Sequence, residues 1–208
     1  MSKRDVTTAG STPSRITLQN VLFAAVGEVA IAVLLIDYAH GVRLGTLFES
    51  LVLTWAGAAL GVLSGAAMAA LQLALIARWQ RWRGFLREAV GRTDFGVGQI
   101  VAIGLIVGIA EELLFRAAVQ PLLGIVPTSL LFAAIHWNYA ALRGGRAKLL
   151  LSLLAFATIF AISVVLGLLY EAHGLVAAMV AHAVYDIIVL LGYRRLLVAA
   201  HGDTHATS

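Results

Sequence analysis

Two adjacent glutamates, Glu111 and Glu112, are followed by Arg116 inside a run that is otherwise apolar, GQIVAIGLIVGIAEELLFRAAVQPLLG. Downstream, Phe132 precedes His136 by four residues and His182 precedes Asp186 by four, each pair in its own apolar stretch. An ionisable side chain near the centre of a bilayer is costly and by default marks a functional site. A carboxylate and an imidazole can together activate one water molecule for attack on a carbonyl. A second imidazole that carries a proton toward the substrate can stabilise the oxyanion that develops. Asp186 donates only when protonated, and as a carboxylate it is better suited to orienting His182. Glu111, His136, His182 and Asp186 thus supply the parts of an amide hydrolase that needs no covalent nucleophile, and the chain has no cysteine to act as one.

Helical geometry divides the two glutamates. At about 100° per residue, Glu112 and Arg116 share a face and can form an ion pair, whereas Glu111 points about 140° away from Arg116. Glu112 is expected to be neutralised by Arg116, leaving Glu111 free to face a cavity as general base. Other chemistries use the same residues. Glu111, His136 and His182 are a two-histidine, one-carboxylate set that can bind a metal, although no H-E-x-x-H spacing is present. A buried charge cluster can also serve helix packing alone, in an immunity factor or a partner-binding scaffold. A proton relay in a transporter is a further reading, weakened because the two halves show no inverted repeat. The hydrolase reading calls for no cofactor.

These residues must be positioned by membrane helices. The 208-residue chain is 61% hydrophobic and 12% charged, with a mean hydropathy of +0.92, against about 45–50% apolar and about 25% charged in soluble domains. An all-α, polytopic bundle of about six transmembrane helices is expected: Leu18–Tyr38, Leu51–Trp79, Val97–Leu123, Thr128–Leu142, Leu149–Tyr170 and Leu175–Val198. Pro121 and Pro127 mark a tight break between the third and fourth. Lys and Arg alternate between rich and poor loops. The rich ones hold Lys3, Arg4 and Arg15; Arg81, Arg83, Arg87 and Arg92; Arg143, Arg146 and Lys148; and Arg194 and Arg195. Arg43 stands alone in the first loop. The positive-inside rule then puts both termini in the cytoplasm. The basic pI follows from topology, and no aromatic-interleaved basic patch points to nucleic acid.

The organisation expected is a polar tail over residues 1–15, N-terminal helices and a basic cytoplasmic loop over 16–94, a helical core over 95–198 and a polar tail over 199–208. RWQRWRGFLREAVGR suits an amphipathic helix on the cytoplasmic interface or a plain topology-setting loop. Gly57, Gly61 and Gly65, like Gly104 and Gly108, recur every four residues, which permits close helix packing. Glu28 and Gln72 are read as packing or support, since neither has a partner by spacing.

Glu111-Glu112-Leu113-Leu114-Phe115-Arg116, Phe132 with His136, and His182 with Asp186 reproduce the pattern EExxxR, FxxxH, HxxxN/D. In these motifs the chain resembles the CPBP family of intramembrane proteases, also called the CAAX protease and bacteriocin-processing (Abi) family. The resemblance covers about residues 95–190. It implies a glutamate-type endopeptidase in which Glu111 and His136 activate water, and His182 and the residue at Asp186 contribute to the oxyanion site. Glu112, Arg116 and Phe132 are then supporting residues. The CAAX-processing branch has Asn where this chain has Asp186, which puts direct oxyanion donation from residue 186 in doubt. The implied partners are a membrane-embedded peptide or protein substrate and the lipid bilayer of a bacterial inner membrane. The substrate is left open among prenylated CAAX proteins, sorting tags and bacteriocin leaders, and oligomeric state is unread.

Overall fold

The computed structural model describes residues 17–40, 51, 54–90, 95–137 and 145–202. The expected N-terminal tail, Arg43 of the first loop, and Arg92 and Arg143 lie outside the described residues. All regular structure among the described residues is helical. In chain order these are α1 (Leu18–His40), α2 (Trp55–Arg78), α3 (Gln80–Val90), α4 (Val97–Leu123), α5 (Ile125–Ile135), α6 (Gly145–His173) and α7 (Leu175–Gly202). Five of them, α1, α2, α4, α6 and α7, are long and apolar enough to cross a membrane. The helix of α7 continues through residues 199–202, which were expected to belong to the polar tail, and 203–208 lie outside the described residues.

Local chemistry sets the helix ends. Thr54 caps α2 by accepting from the Gly57 N–H at 3.0 Å, which satisfies one of the orphan donors of a first turn. At the other end, Arg83 of α3 reaches back, its Nε donating to the Ile76 carbonyl at 3.2 Å and its Nη2 to the Ala77 carbonyl at 2.9 Å. The segment α3 is therefore a helix anchored on the end of α2. Trp82 and Phe85 are buried on its apolar side, with ring centroids 5.7 Å apart, and they pack with Ile76 against Leu151, Leu154 and Ala155 of α6.

The expected fourth span, Thr128–Leu142, is corrected. Among the described residues the helix is Ile125–Ile135, with His136 as its C-cap, and residues 138–142 of the expected span lie outside the described residues. Its 11 residues rise about 17 Å, well short of a hydrocarbon core of about 30 Å. Gly124 makes the preceding turn with φ 80°, and Pro127 fits the first turn of α5, where its missing N–H costs nothing.

The core of the bundle is α7, which packs against α2, α4 and α6. Small residues make this possible. A Cβ on Gly61 would stand 2.7 Å from the Ala177 carbonyl oxygen, and one on Gly65 would collide with that of Ala181. On the other flank, a Cβ on Gly108 would lie 2.9 Å from the Ala183 amide nitrogen. Ala177, Ala178, Ala181 and Ala183 are correspondingly buried. The four-residue glycine spacings thus hold α7 between α2 and α4, with His182 at the contact.

Candidate active site

The site forms where α4, α5 and α7 meet. Just beyond the two glutamates, α4 changes winding. Leu113–Val119 is a π-helical turn, and the Gln120 N–H bonds to the Phe115 carbonyl five residues back. Such bulges are rare and recur at functional sites. Phe115, Arg116, Ala118 and Val119 of this turn are buried.

Glu112 and Arg116 are both fully buried, and Arg116 Nε donates to Glu112 Oε2 at 2.9 Å. The other Arg116 donors are also engaged, Nη1 on Gln120 Oε1 at 3.2 Å and Nη2 on Ser163 Oγ of α6 at 2.8 Å. Gln120 passes the network on, its Nε2 donating to the Gly167 carbonyl and to Glu171 Oε1, each at 3.2 Å. Gly167 leaves room for this side chain, since a Cβ there would lie 2.9 Å from Gln120 Oε1. Gln120 and Ser163 were not singled out from the sequence. The Glu112, Arg116, Gln120 spacing of four made Gln120 findable, whereas nothing local marks Ser163.

The second oxygen of Glu112 receives His182: Nδ1 lies 2.8 Å from Glu112 Oε1. A carboxylate paired with a guanidinium accepts, so Nδ1–H donates and the ring turns Nε2 toward the site. The hydrogen-bond partner of His182 Nδ1 is thus Glu112, where Asp186 was the expected orienting group. Asp186 Oδ2 instead stands 3.7 Å from Nε2, on the working side of the ring.

His136 is fixed in the same way. Its Nδ1 is 2.8 Å from the Phe132 carbonyl, which can only accept, so Nδ1–H donates and Nε2 faces Glu111. Glu111 Oε1 is 3.7 Å from His136 Nε2, and Oε2 is 3.8 Å from His182 Nε2. Neither separation is a hydrogen bond, and Glu111 Oε2 is buried without a hydrogen-bond partner. His136 is the most open of the group, its side chain 35% exposed. Phe132 braces the cluster: its ring centroid is 4.6 Å from that of His136, 4.9 Å from Phe115 and 6.1 Å from His182, with the Arg116 guanidinium 5.8 Å from the ring centre.

All seven residues picked from the motifs therefore come together. Glu111, His136, His182 and Asp186 meet through ring nitrogens and carboxylate oxygens, and Glu112, Arg116 and Phe132 stand behind them. Glu28 of α1, read from sequence as support, acts electrostatically on Glu111, His136 and His182. Gln72 is buried in α2, its Oε1 without a hydrogen-bond partner. Among the described residues, no three His, Asp or Glu side chains are grouped so as to hold a metal ion.

Residues 92–188 match the family described as Type II CAAX prenyl endopeptidase Rce1-like. This segment is similar to the domain of that family. It contains every motif residue from Glu111 to Asp186 and begins after α3. The uncharacterized protein YpbD of Bacillus subtilis (strain 168) is 37% identical over 93 residues, which make up 44% of this chain and 44% of that protein. The match thus spans less than half of the curated relative's length. No solved structure matches the chain. The Rce1-like segment together with five membrane-length apolar helices makes this a multi-pass integral membrane protein.

Proposed function

We propose that the protein is a glutamate-type intramembrane endopeptidase that hydrolyses a peptide bond of a membrane-associated substrate with water activated by Glu111 and His136. The observation that carries this reading is the unequal state of the two glutamates. Glu112 is saturated by Arg116 and His182, while Glu111 keeps Oε2 buried without a hydrogen-bond partner and lies between two imidazole Nε2 atoms. An oxygen placed about 2.8 Å from each partner reaches both Glu111 Oε1 and His136 Nε2 across their gap.

In the proposed reaction Glu111 takes a proton from that water as its oxygen bonds to the scissile carbonyl carbon. The carbonyl oxygen becomes an oxyanion. When the tetrahedral adduct collapses, the C–N bond breaks and Glu111 returns the proton to the leaving nitrogen. His136, with Nδ1–H held by Phe132, offers Nε2 as the second acceptor for the water. Because His182 Nδ1–H already donates to Glu112, Nε2 can donate to the oxyanion only in a doubly protonated ring. Asp186 stands beside that nitrogen as counter-charge.

The family's name concerns CAAX prenyl substrates, and a C-terminal tagged peptide or bacteriocin leader fits the same chemistry. We place the protein in a bacterial inner membrane with both termini in the cytoplasm, on the alternation of basic loops. The test is incubation of the purified protein in detergent with a membrane-peptide library, with cut sites read by mass spectrometry. Discrete cleavage that persists in strong chelator and is lost in His136→Ala is expected. Cleavage abolished by chelator and restored by a divalent ion would overturn the metal-free mechanism.

A further inference from the structure

Glu28 lies on α1, well before the segment 92–188 that matches the Rce1-like family. Its position in α1 is not random. The buried residues of that helix are Ala25, Ala32 and Ile36, and Ala32 and Ile36 pack with Ala118, Leu113, Leu114 and Ala117 on the π-helical turn. Glu28 stands three residues after Ala25 and four before Ala32, on the same stripe. Among the described residues α1 and α4 are the first and third membrane-length helices, and on that count they cross in the same sense. About two turns back from Ile36 along α1, and about two turns back from Ala118 along α4, the levels are those of Glu28 and Glu111. The groups that interact electrostatically with Glu28 agree: Glu111 from α4, His136 from the end of α5 and His182 from α7. The other charged groups of α4 next to this level, Glu112 and Arg116, are turned to each other and to His182, Gln120 and Ser163. A half-buried carboxylate in a membrane helix, aimed at a set of titrating side chains, is poorly explained as packing.

We propose that Glu28 is a positioning residue of the active site, closing it on the α1 side and setting the charge balance among Glu111, His136 and His182. The inference rests on the water-activation reading for its catalytic consequence. Its physical content is Coulombic: a charge at Glu28 contributes to the field that the imidazoles of the site experience, and removing it changes that field. The N-terminal part of the chain, which carries none of the sequence motifs, would then complete the site.

The test compares wild type with Glu28→Gln, which removes the charge at nearly constant size. Glu28→Ala, which matches its neighbours Ala25 and Ala32, serves as a second neutral variant should Gln disturb folding. Ring-nitrogen NMR of His136 and His182 in detergent gives the titration midpoints without any need for activity. Both neutral variants are expected to move at least one of these midpoints to lower pH by about half a unit or more, and Glu28→Asp is expected to stay near wild type. Where cleavage is measurable, the acidic limb of kcat/KM moves to lower pH as well. Unchanged midpoints in folded neutral variants overturn the role of Glu28, whatever the activity. Absence of cleavage by wild type overturns the hydrolase reading and full cleavage by Glu111→Gln overturns the assignment of Glu111 as base, while the ring titrations still decide Glu28.

Discussion

Arg116 commits its Nε, Nη1 and Nη2 inside the bundle, to Glu112, Gln120 and Ser163. A guanidinium can be buried only when its charge is paired and its donors are met. Its removal leaves Glu112 without a counter-charge in a dry interior, which typically costs about 3–5 kcal/mol. Arg116→Ala is therefore expected to lower thermal stability and yield at least as much as turnover, as read by melting in detergent. A variant with normal melting and yield would contradict the pairing. The helix projection made this division of labour legible in the sequence, since Glu112 and Arg116 are four apart. It did not reveal that Glu112 also holds His182, because the two are 70 residues apart and only tertiary packing joins them. The carboxylate chemistry of Asp186 suggests that it orients His182, but sequence does not tell which ring nitrogen it meets, and the structure puts it 3.7 Å from Nε2.

At the level of elements, the site depends on how closely α7 approaches α2 and α4. Gly65 and Gly108 leave room for α7 backbone atoms at Ala181 and Ala183, on either side of His182. A β-branched residue at Gly108 must push α7 away from α4, and with it His182 away from Glu111. Gly108→Val is thus expected to reduce cleavage at least about tenfold even where the protein still folds, because displacements near 1 Å at a reacting group are costly. Unchanged kcat/KM in a folded Gly108→Val variant would show that this contact does not position the site. The glycine spacings were readable as close-packing positions, though not which helix they met. The short α5 was misjudged because apolar composition runs on past His136, and hydropathy does not register the stop there. The π-helical turn left no local signal, since its register shift arises from hydrogen-bond geometry rather than from residue type.

For the whole molecule, the five membrane-length helices among the described residues and the short α5 keep polar groups such as Arg116, Gln120 and His182 away from lipid by pairing them inside the bundle. Large apolar side chains such as Phe23, Leu34, Leu63, Leu71 and Leu168 face outward, as a lipid-covered surface requires. The bundle was legible from composition and apolar run length, because the need to satisfy backbone groups in lipid leaves few alternatives. The part played by α1 was not, because Glu28 has no partner within its own helix and meets the site only across the bundle. The alternation of basic loops predicts that both termini face the cytoplasm. The absence of native cysteine makes single-cysteine labelling a clean check. Cysteines placed at Ser2 and Thr207 are expected to resist an impermeant thiol reagent in intact cells and to react after lysis, and labelling of either in intact cells would reverse the orientation.

The central claim concerns one carboxylate, and one substitution addresses it. Glu111→Gln preserves size and removes the ability to take a proton from water, a contribution typically worth about 10²–10⁴ in rate. The cleavage rate of purified Glu111→Gln, set against wild type on the same membrane peptide and with melting curves matched, is expected to fall at least about 100-fold. A folded Glu111→Gln protein that cuts at the wild-type rate would contradict the account.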